Sequence, residues 1–93
     1  MRNYEATVIF RQEEDVFNKG KGLVKQEFAR VGAQITKEED LGIKDLAYDI
    51  KKQPRGHYCY FELSLDPARL VEIDRTFRLT AELLKYLIVK KEE

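Results

Sequence analysis

The stretch KKQPRGHYCYF, Lys51–Phe61, sets three basic residues, a proline, a glycine, the only histidine and the only cysteine of the chain beside three aromatic rings. It is either a chemical site or a turn feeding a strand, and the choice fixes the fold. Cys59, Phe61, Leu63 and Leu65 fall on one parity, and Tyr58, Tyr60, Glu62 and Ser64 on the other. Successive side chains of an extended chain point to opposite faces, so this is a strand with one apolar face. The proline and glycine of KQPRG mark a turn just before it. A turn there needs a strand that leads into it.

That strand begins near Ile35. Leu41 and Ile43 share a parity, whereas Leu46, Tyr48 and Ile50 have the opposite one. A β-bulge at Lys44–Asp45 would add the residue that returns this apolar set to one face. Farther upstream, Phe17, Val24, Phe28 and Val31 form one stripe of a helix. Glu13, Glu14 and Asp15 suit its N-terminus, and Gly32 suits its C-cap. Gly20 and Gly22 inside it each cost about 1 kcal/mol relative to alanine. They read as two glycines tolerated in a helix that packing holds. The opening segment alternates Tyr4, Ala6, Val8 and Phe10 against Asn3, Glu5, Thr7 and Ile9. Downstream, Asp66–Pro67 is a helix start, an N-cap acceptor followed by proline at the first helical position. Leu70, Ile73 and Phe77 give that helix its stripe, and LLKYLIVKK, Leu83–Lys91, is a last strand. The order is β-α-β-β-α-β, an α+β, ferredoxin-like arrangement. It predicts a four-stranded antiparallel sheet with two helices on one face and nothing from the chain on the other.

Ninety-three residues, 43% apolar and 37% charged, are enough for one modest core, so residues 1–93 are expected to form a single domain. No apolar run approaches the roughly 18 residues that span a bilayer. Glu5 and the lack of a small-residue cleavage site argue against a signal peptide. One cysteine forms no internal disulfide, which fits a reducing cytosol. Net charge is zero, but it is segregated. Five acids (Glu38, Glu39, Asp40, Asp45, Asp49) stand against Lys44 alone between Glu38 and Asp49, and Lys51, Lys52 and Arg55 follow with no acid. Lys85, Lys90 and Lys91 precede Glu92 and Glu93. A local basic surface is compatible with overall neutrality.

Catalytic constellations are scarce. His57 and Cys59 share a face, but nucleophilic catalysis also needs a third group to orient the base, and no residue in the sequence identifies itself as that group. One cysteine and one histidine are too few for a protein-only zinc site. The reading is therefore no enzyme, no metal and no cofactor. Gly20-Lys21-Gly22 lacks the phosphate-loop spacing. Lys37–Asp40 reads as a charged strand edge that discourages aggregation. The third strand partly matches the RNA-recognition-motif signature through Arg55-Gly56. The stacking positions of that motif fall on His57 and Cys59, on the core parity, and Tyr58 and Tyr60 are one residue out of register. A one-residue slip sends every side chain to the opposite face.

Taken over nearly its whole length, from MRNYE (Met1–Glu5) to YLIVK (Tyr86–Lys90), the chain resembles the bacterial small-subunit ribosomal protein six family. RNYE, LGIKDLAYDIKK (Leu41–Lys52), the G-x-Y-x-x-F of Gly56–Phe61 and the lysine-flanked last strand carry the resemblance. It implies a non-enzymatic protein of the cytoplasmic ribosome. Such a protein is expected to bind the central domain of small-subunit ribosomal RNA together with ribosomal protein eighteen, without cofactor, small-molecule substrate or membrane. A neutral protein with few phosphate contacts binds RNA weakly alone, so a basic partner is consistent with zero net charge. The resemblance carries RNA contact to Arg2, Lys51, Lys52, Arg55, Lys85, Lys90 and Lys91. It carries partner contact to Glu39, Asp40, Lys44 and Tyr48.

Two departures from the family matter. Asp45 stands within the place of a basic pair and Asp49 in the place of a proline, which weakens the positive potential along that edge. Partner contacts made by the longer C-terminal extension of many members are expected to be missing. The competing readings are a stand-alone single-stranded RNA binder stacking bases on Tyr58 and Tyr60, and a small enzyme or ligand-sensing domain of the same fold.

Overall fold

A computed structural model of the chain describes residues 1–91; Glu92 and Glu93, which close the C-terminal charge run, lie outside the described residues. The elements are β1 (Arg2–Phe10), α1 (Glu14–Arg30), β2 (Gln34–Ile50), β3 (Gln53–Leu65), a short 3-10 turn (Pro67–Arg69), α2 (Leu70–Arg78) and β4 (Leu83–Lys90). The strands form one antiparallel sheet in the order β2-β3-β1-β4. This is the expected ferredoxin-like α+β fold.

Strand alternation builds the core. Tyr4, Ala6, Val8 and Phe10 of β1 and Cys59, Phe61, Leu63 and Leu65 of β3 are buried together with Phe17, Val24 and Phe28 of α1 and Ile73 and Phe77 of α2. Both helices therefore cover the same face. Phe28 lies edge-on to Phe61 and to Phe77, with ring centroids 5.5 and 5.7 Å apart, and joins α1 to the sheet and to α2. Such pairs contribute about 0.5–1.5 kcal/mol beyond their buried area. α1 ends where Gly32 adopts φ +75°. Ala33 N–H then donates to Phe28 O (2.9 Å) and Gly32 N–H to Ala29 O (3.1 Å), which satisfies the last carbonyls. At the other helix, Asp66 Oδ1 accepts from Ala68 N–H (3.0 Å) and caps the 3-10 turn, and α2 begins only at Leu70.

Three local readings are corrected. The pairing of β2 with β3 is regular at Lys44↔Gly56 and Asp45↔Arg55, so no bulge sits there. Register shifts instead between Ile35 and Lys37, between Asp40 and Gly42, and beyond Asp45. At the central shift Gly42 has φ +83°, and its N–H donates to Asp40 Oδ1 (2.9 Å). Leu41, Ile43 and Tyr48 are all exposed, so their parity reports no buried face. The hairpin turn is Lys51-Lys52, with φ 50° and 65°. Pro54 and Gly56 lie within β3. Lastly, the two helical glycines differ. A Cβ on Gly20 would stand 2.8 Å from both Glu82 Cβ and Phe10 Cδ1, whereas one on Gly22 would meet nothing within 4 Å. Gly20 is required for packing and only Gly22 is merely tolerated.

The β2–β3 hairpin forms an arm beyond the end of β1. β1 ends opposite His57, and the β2–β3 hairpin runs on past that end through Lys44–Ile50 of β2, the Lys51-Lys52 turn and Gln53–Gly56 of β3. This hairpin folds across the end of the sheet, where Lys51 and Tyr48 meet β4, and Gly56 is where it passes. A Cβ there would lie 2.4 Å from Ile9 Cγ2 and 3.2 Å from Phe10 O. Only a residue without a side chain permits that approach.

Candidate nucleic-acid interface

The arm sets the positions of the basic residues. Lys51 Nζ donates to Leu83 O (3.0 Å), which pins the hairpin tip to the start of β4. Lys85 Nζ donates to Tyr48 Oη (3.2 Å) and lies 5.7 Å from the centre of that ring. Arg55 Nε donates to Asp45 Oδ1 (2.8 Å), a cross-strand ion pair at an exposed site. Asp45 therefore takes up part of the positive charge that Arg55 offers. Lys52 is exposed and has no ion-pair partner among the described residues. Lys51, Lys52, Arg55 and Lys85 thus gather at one end of the sheet.

The other three basic candidates are elsewhere. Arg2 and Lys90 lie at the start of β1 and the end of β4, about 26 Å along β1 from the arm at the usual rise per residue. Beside them, Lys91 Nζ donates to Glu62 Oε1 (2.5 Å), and its N–H donates to Asn3 O (2.8 Å). The carboxylate of Glu62 holds the Lys91 ammonium above its ordinary pKa, and that lysine is largely neutralised as a phosphate contact. The seven residues do not form one patch.

The candidate partner residues lie along β2. Glu39 pairs with Lys37 (2.9 Å), and the Lys44 ammonium sits 5.5 Å over the Tyr58 ring. Tyr48 is exposed at the far end of the arm. Asp40 faces the other way. His57 Nε2 lies 2.5 Å from Asp40 Oδ1, and the His57 ring stacks flat on Phe17, centroids 3.6 Å apart and planes 2° apart. An ionised carboxylate only accepts, so Nε2 carries the proton. His57 holds the Asp40 carboxyl below the ordinary carboxylate range, assisted by Gly42 N–H.

Asp40 is also the third group that the sequence did not reveal. Its oxygen, a His57 ring nitrogen and Cys59 Sγ lie within 4.8 Å of one another. The trio nevertheless lacks a usable nucleophile. Cys59 is fully buried, and burial pushes its thiol up to about 11. Thiolate is the reactive form. His57, the fifth residue of β3, stacks on Phe17 and bonds Asp40 beside the register shift between Asp40 and Gly42.

The uncovered face is mixed in charge. Ile9 opposes Tyr58 and Thr7 opposes Tyr60 there, while Glu5 opposes Glu62. Tyr60 Oη donates to Glu62 Oε2 (2.9 Å), and burial together with that carboxylate pushes its pKa up to about 12. Both tyrosines are on this face, as the parity predicts, but Tyr60 is surrounded by acids that repel phosphate.

A split-β-α-β sheet, one face under two helices and the other open beneath a cationic arm, defines a ferredoxin-like α+β protein. A profile of Ribosomal protein S6 matches residues 3–90, and the chain belongs to the ribosomal protein S6 family, the structural and non-enzymatic S6 component of the small ribosomal subunit. The chain is 42% identical over its 93 residues to small ribosomal subunit protein bS6 of Treponema denticola, covering 100% of each. It is 37% identical over 90 residues to bS6 of Treponema pallidum strain Nichols, covering 97% of each. The crystal structure of 30S ribosomal protein S6 from Thermotoga maritima superposes with a TM-score of 0.89 at 28% identity, over 97% of this chain and 87% of that one. Membership places the protein in the cytoplasmic ribosome. No helix among the described residues is long and apolar enough to cross a membrane.

Proposed function

We propose that the protein binds the central domain of small-subunit ribosomal RNA together with ribosomal protein eighteen, presenting its arm to the RNA backbone and the charged strand β2 to the partner. The observation that carries the RNA contact is the gathering of Lys51, Lys52, Arg55 and Lys85 at one end of a molecule whose net charge is zero. RNA affinity rises with the number of phosphates neutralised. Four cations, one of them paired to Asp45, give a weak grip without help. A basic partner seated on Glu39 and its neighbours adds the missing contacts. Residues 1–91 act as one unit in this reading, since both helices and all four strands share one core.

The test is equilibrium binding of the purified protein to a central-domain RNA fragment, with and without the partner protein. Weak binding alone and a large gain with the partner supports the reading. Tight binding with no partner effect points to a stand-alone RNA binder. No binding in either condition at low salt removes the reading.

A further inference from the structure

Where the arm meets the body it closes a cleft of about 230 Å³. Three cations line it: Lys51 from the hairpin turn, Arg78 from the last residue of α2 and Lys85 from β4, over apolar walls from Phe77 and Leu84. No acid is part of the lining. Each cation keeps donors to spare. Lys51 gives one hydrogen to Leu83 O and Lys85 one to Tyr48 Oη, both uncharged acceptors. An ammonium has three donors and a guanidinium five. Arg78 pairs through Nε with Asp74 Oδ2 (3.1 Å), whose other oxygen accepts from the hydroxyl of Tyr86 in the lining; the Arg78 side chain is 73% exposed and keeps its remaining N–H donors.

The turn adds an independent sign. Lys51 and Lys52 both have positive φ, a conformation that asparagine and glycine adopt cheaply and that costs other residues roughly 1–2 kcal/mol each. The chain accepts that cost and keeps a lysine, Lys51, in the lining of the cleft. A site lined by three cations, with a single carboxylate, Asp74, beside it and spare N–H donors, fits a tetrahedral dianion, because charge-assisted bonds to phosphate oxygens are among the strongest donors can make.

We infer that the cleft between Lys51, Arg78 and Lys85 seats a phosphate group, and that in the assembled state this is a backbone phosphate of RNA. Arg78 becomes a contact residue that nothing in the sequence pattern singles out. Only the source of the phosphate rests on the RNA reading above. The seat itself is tested separately.

Backbone amide NMR shifts are followed as inorganic phosphate replaces chloride at constant ionic strength. Saturating shifts centred on Lys51, Arg78 and Lys85 are expected, with Arg78→Gln weakening phosphate binding about tenfold for the loss of one charge-assisted bond. Shifts that never saturate, or that spread evenly over all lysines, overturn the seat. In a second arm, the salt dependence of binding to the RNA fragment is measured for wild type and Arg78→Gln in the presence of the partner. The slope of log K against log salt should fall by about 0.7–0.9. A normal phosphate response with an unchanged slope overturns RNA as the source and assigns the seat to free phosphate. If wild type fails to bind the fragment at all, the RNA reading falls while the phosphate arm still decides the seat.

Discussion

Tyr48 and Lys85 touch, hydroxyl to ammonium at 3.2 Å, although they stand on the two outer strands of the sheet, β2 and β4. Two strands lie between them. The contact exists because the β2–β3 hairpin folds across the end of β1, and it brings basic residues from three parts of the sequence to one place.

Gly56 is the hinge point of that fold-over. Gly56→Ala forces a Cβ to within 2.4 Å of Ile9 Cγ2. Overpacking of this kind costs about 1–3 kcal/mol. Urea denaturation should show that loss, together with weaker RNA assembly because the arm is displaced. An unchanged midpoint would mean that the arm passes elsewhere.

The two helical glycines provide a matched pair. Gly22→Ala meets open space and should stabilise by about 0.5–1 kcal/mol. Gly20→Ala collides with Phe10 and Glu82 and should destabilise by about 1–3 kcal/mol. Thermal melts of both variants are the check.

Much of this was legible beforehand, and the limits have physical causes. Alternation in β1 and β3 identified the core because both strands bury one face, and the Phe17–Val31 stripe identified α1 for the same reason. β2 misled because its outer half is exposed, so the parities of Leu41, Ile43 and Tyr48 reflect no burial. Pro54 and Gly56 point to a turn because those residues usually punctuate chains. Here lysines take the left-handed positions, and Gly56 serves a close approach in a strand. The Asp40–His57 bond joins residues 17 apart beside the register shift between Asp40 and Gly42, and such a pair has no local signature. Arg78 was invisible because its role depends on where the arm lands.

Asp40 makes stability depend on acid. Its carboxyl is held below its ordinary value in the folded state, first by His57 and then by Gly42 N–H. A group with a lowered folded pKa adds stability above its unfolded value, and that stability is lost as pH falls through the folded value. Asp40→Asn should therefore be less stable than wild type near neutrality. The gap should narrow as pH drops from about 5 to about 2, across the ordinary aspartate value near 3.9. A gap that stays constant over that range would show that the His57 bond contributes nothing through charge.

Base stacking is a minor contribution in this account. Tyr58→Ala and Tyr60→Ala should each weaken assembly with RNA and partner by less than the roughly 1–3 kcal/mol per base of a stacking platform. A full loss of that size at Tyr60, despite Glu5 and Glu62 around it, would favour the stand-alone single-stranded RNA binder.

The salt dependence of RNA binding by the triple variant Lys51→Gln, Lys52→Gln, Arg55→Gln, measured beside wild type with the partner present, tests the arm most directly. Three lost phosphate contacts should reduce the slope of log K against log salt by roughly two, with weaker binding at every salt concentration. An unchanged slope and affinity would show that the RNA is held elsewhere.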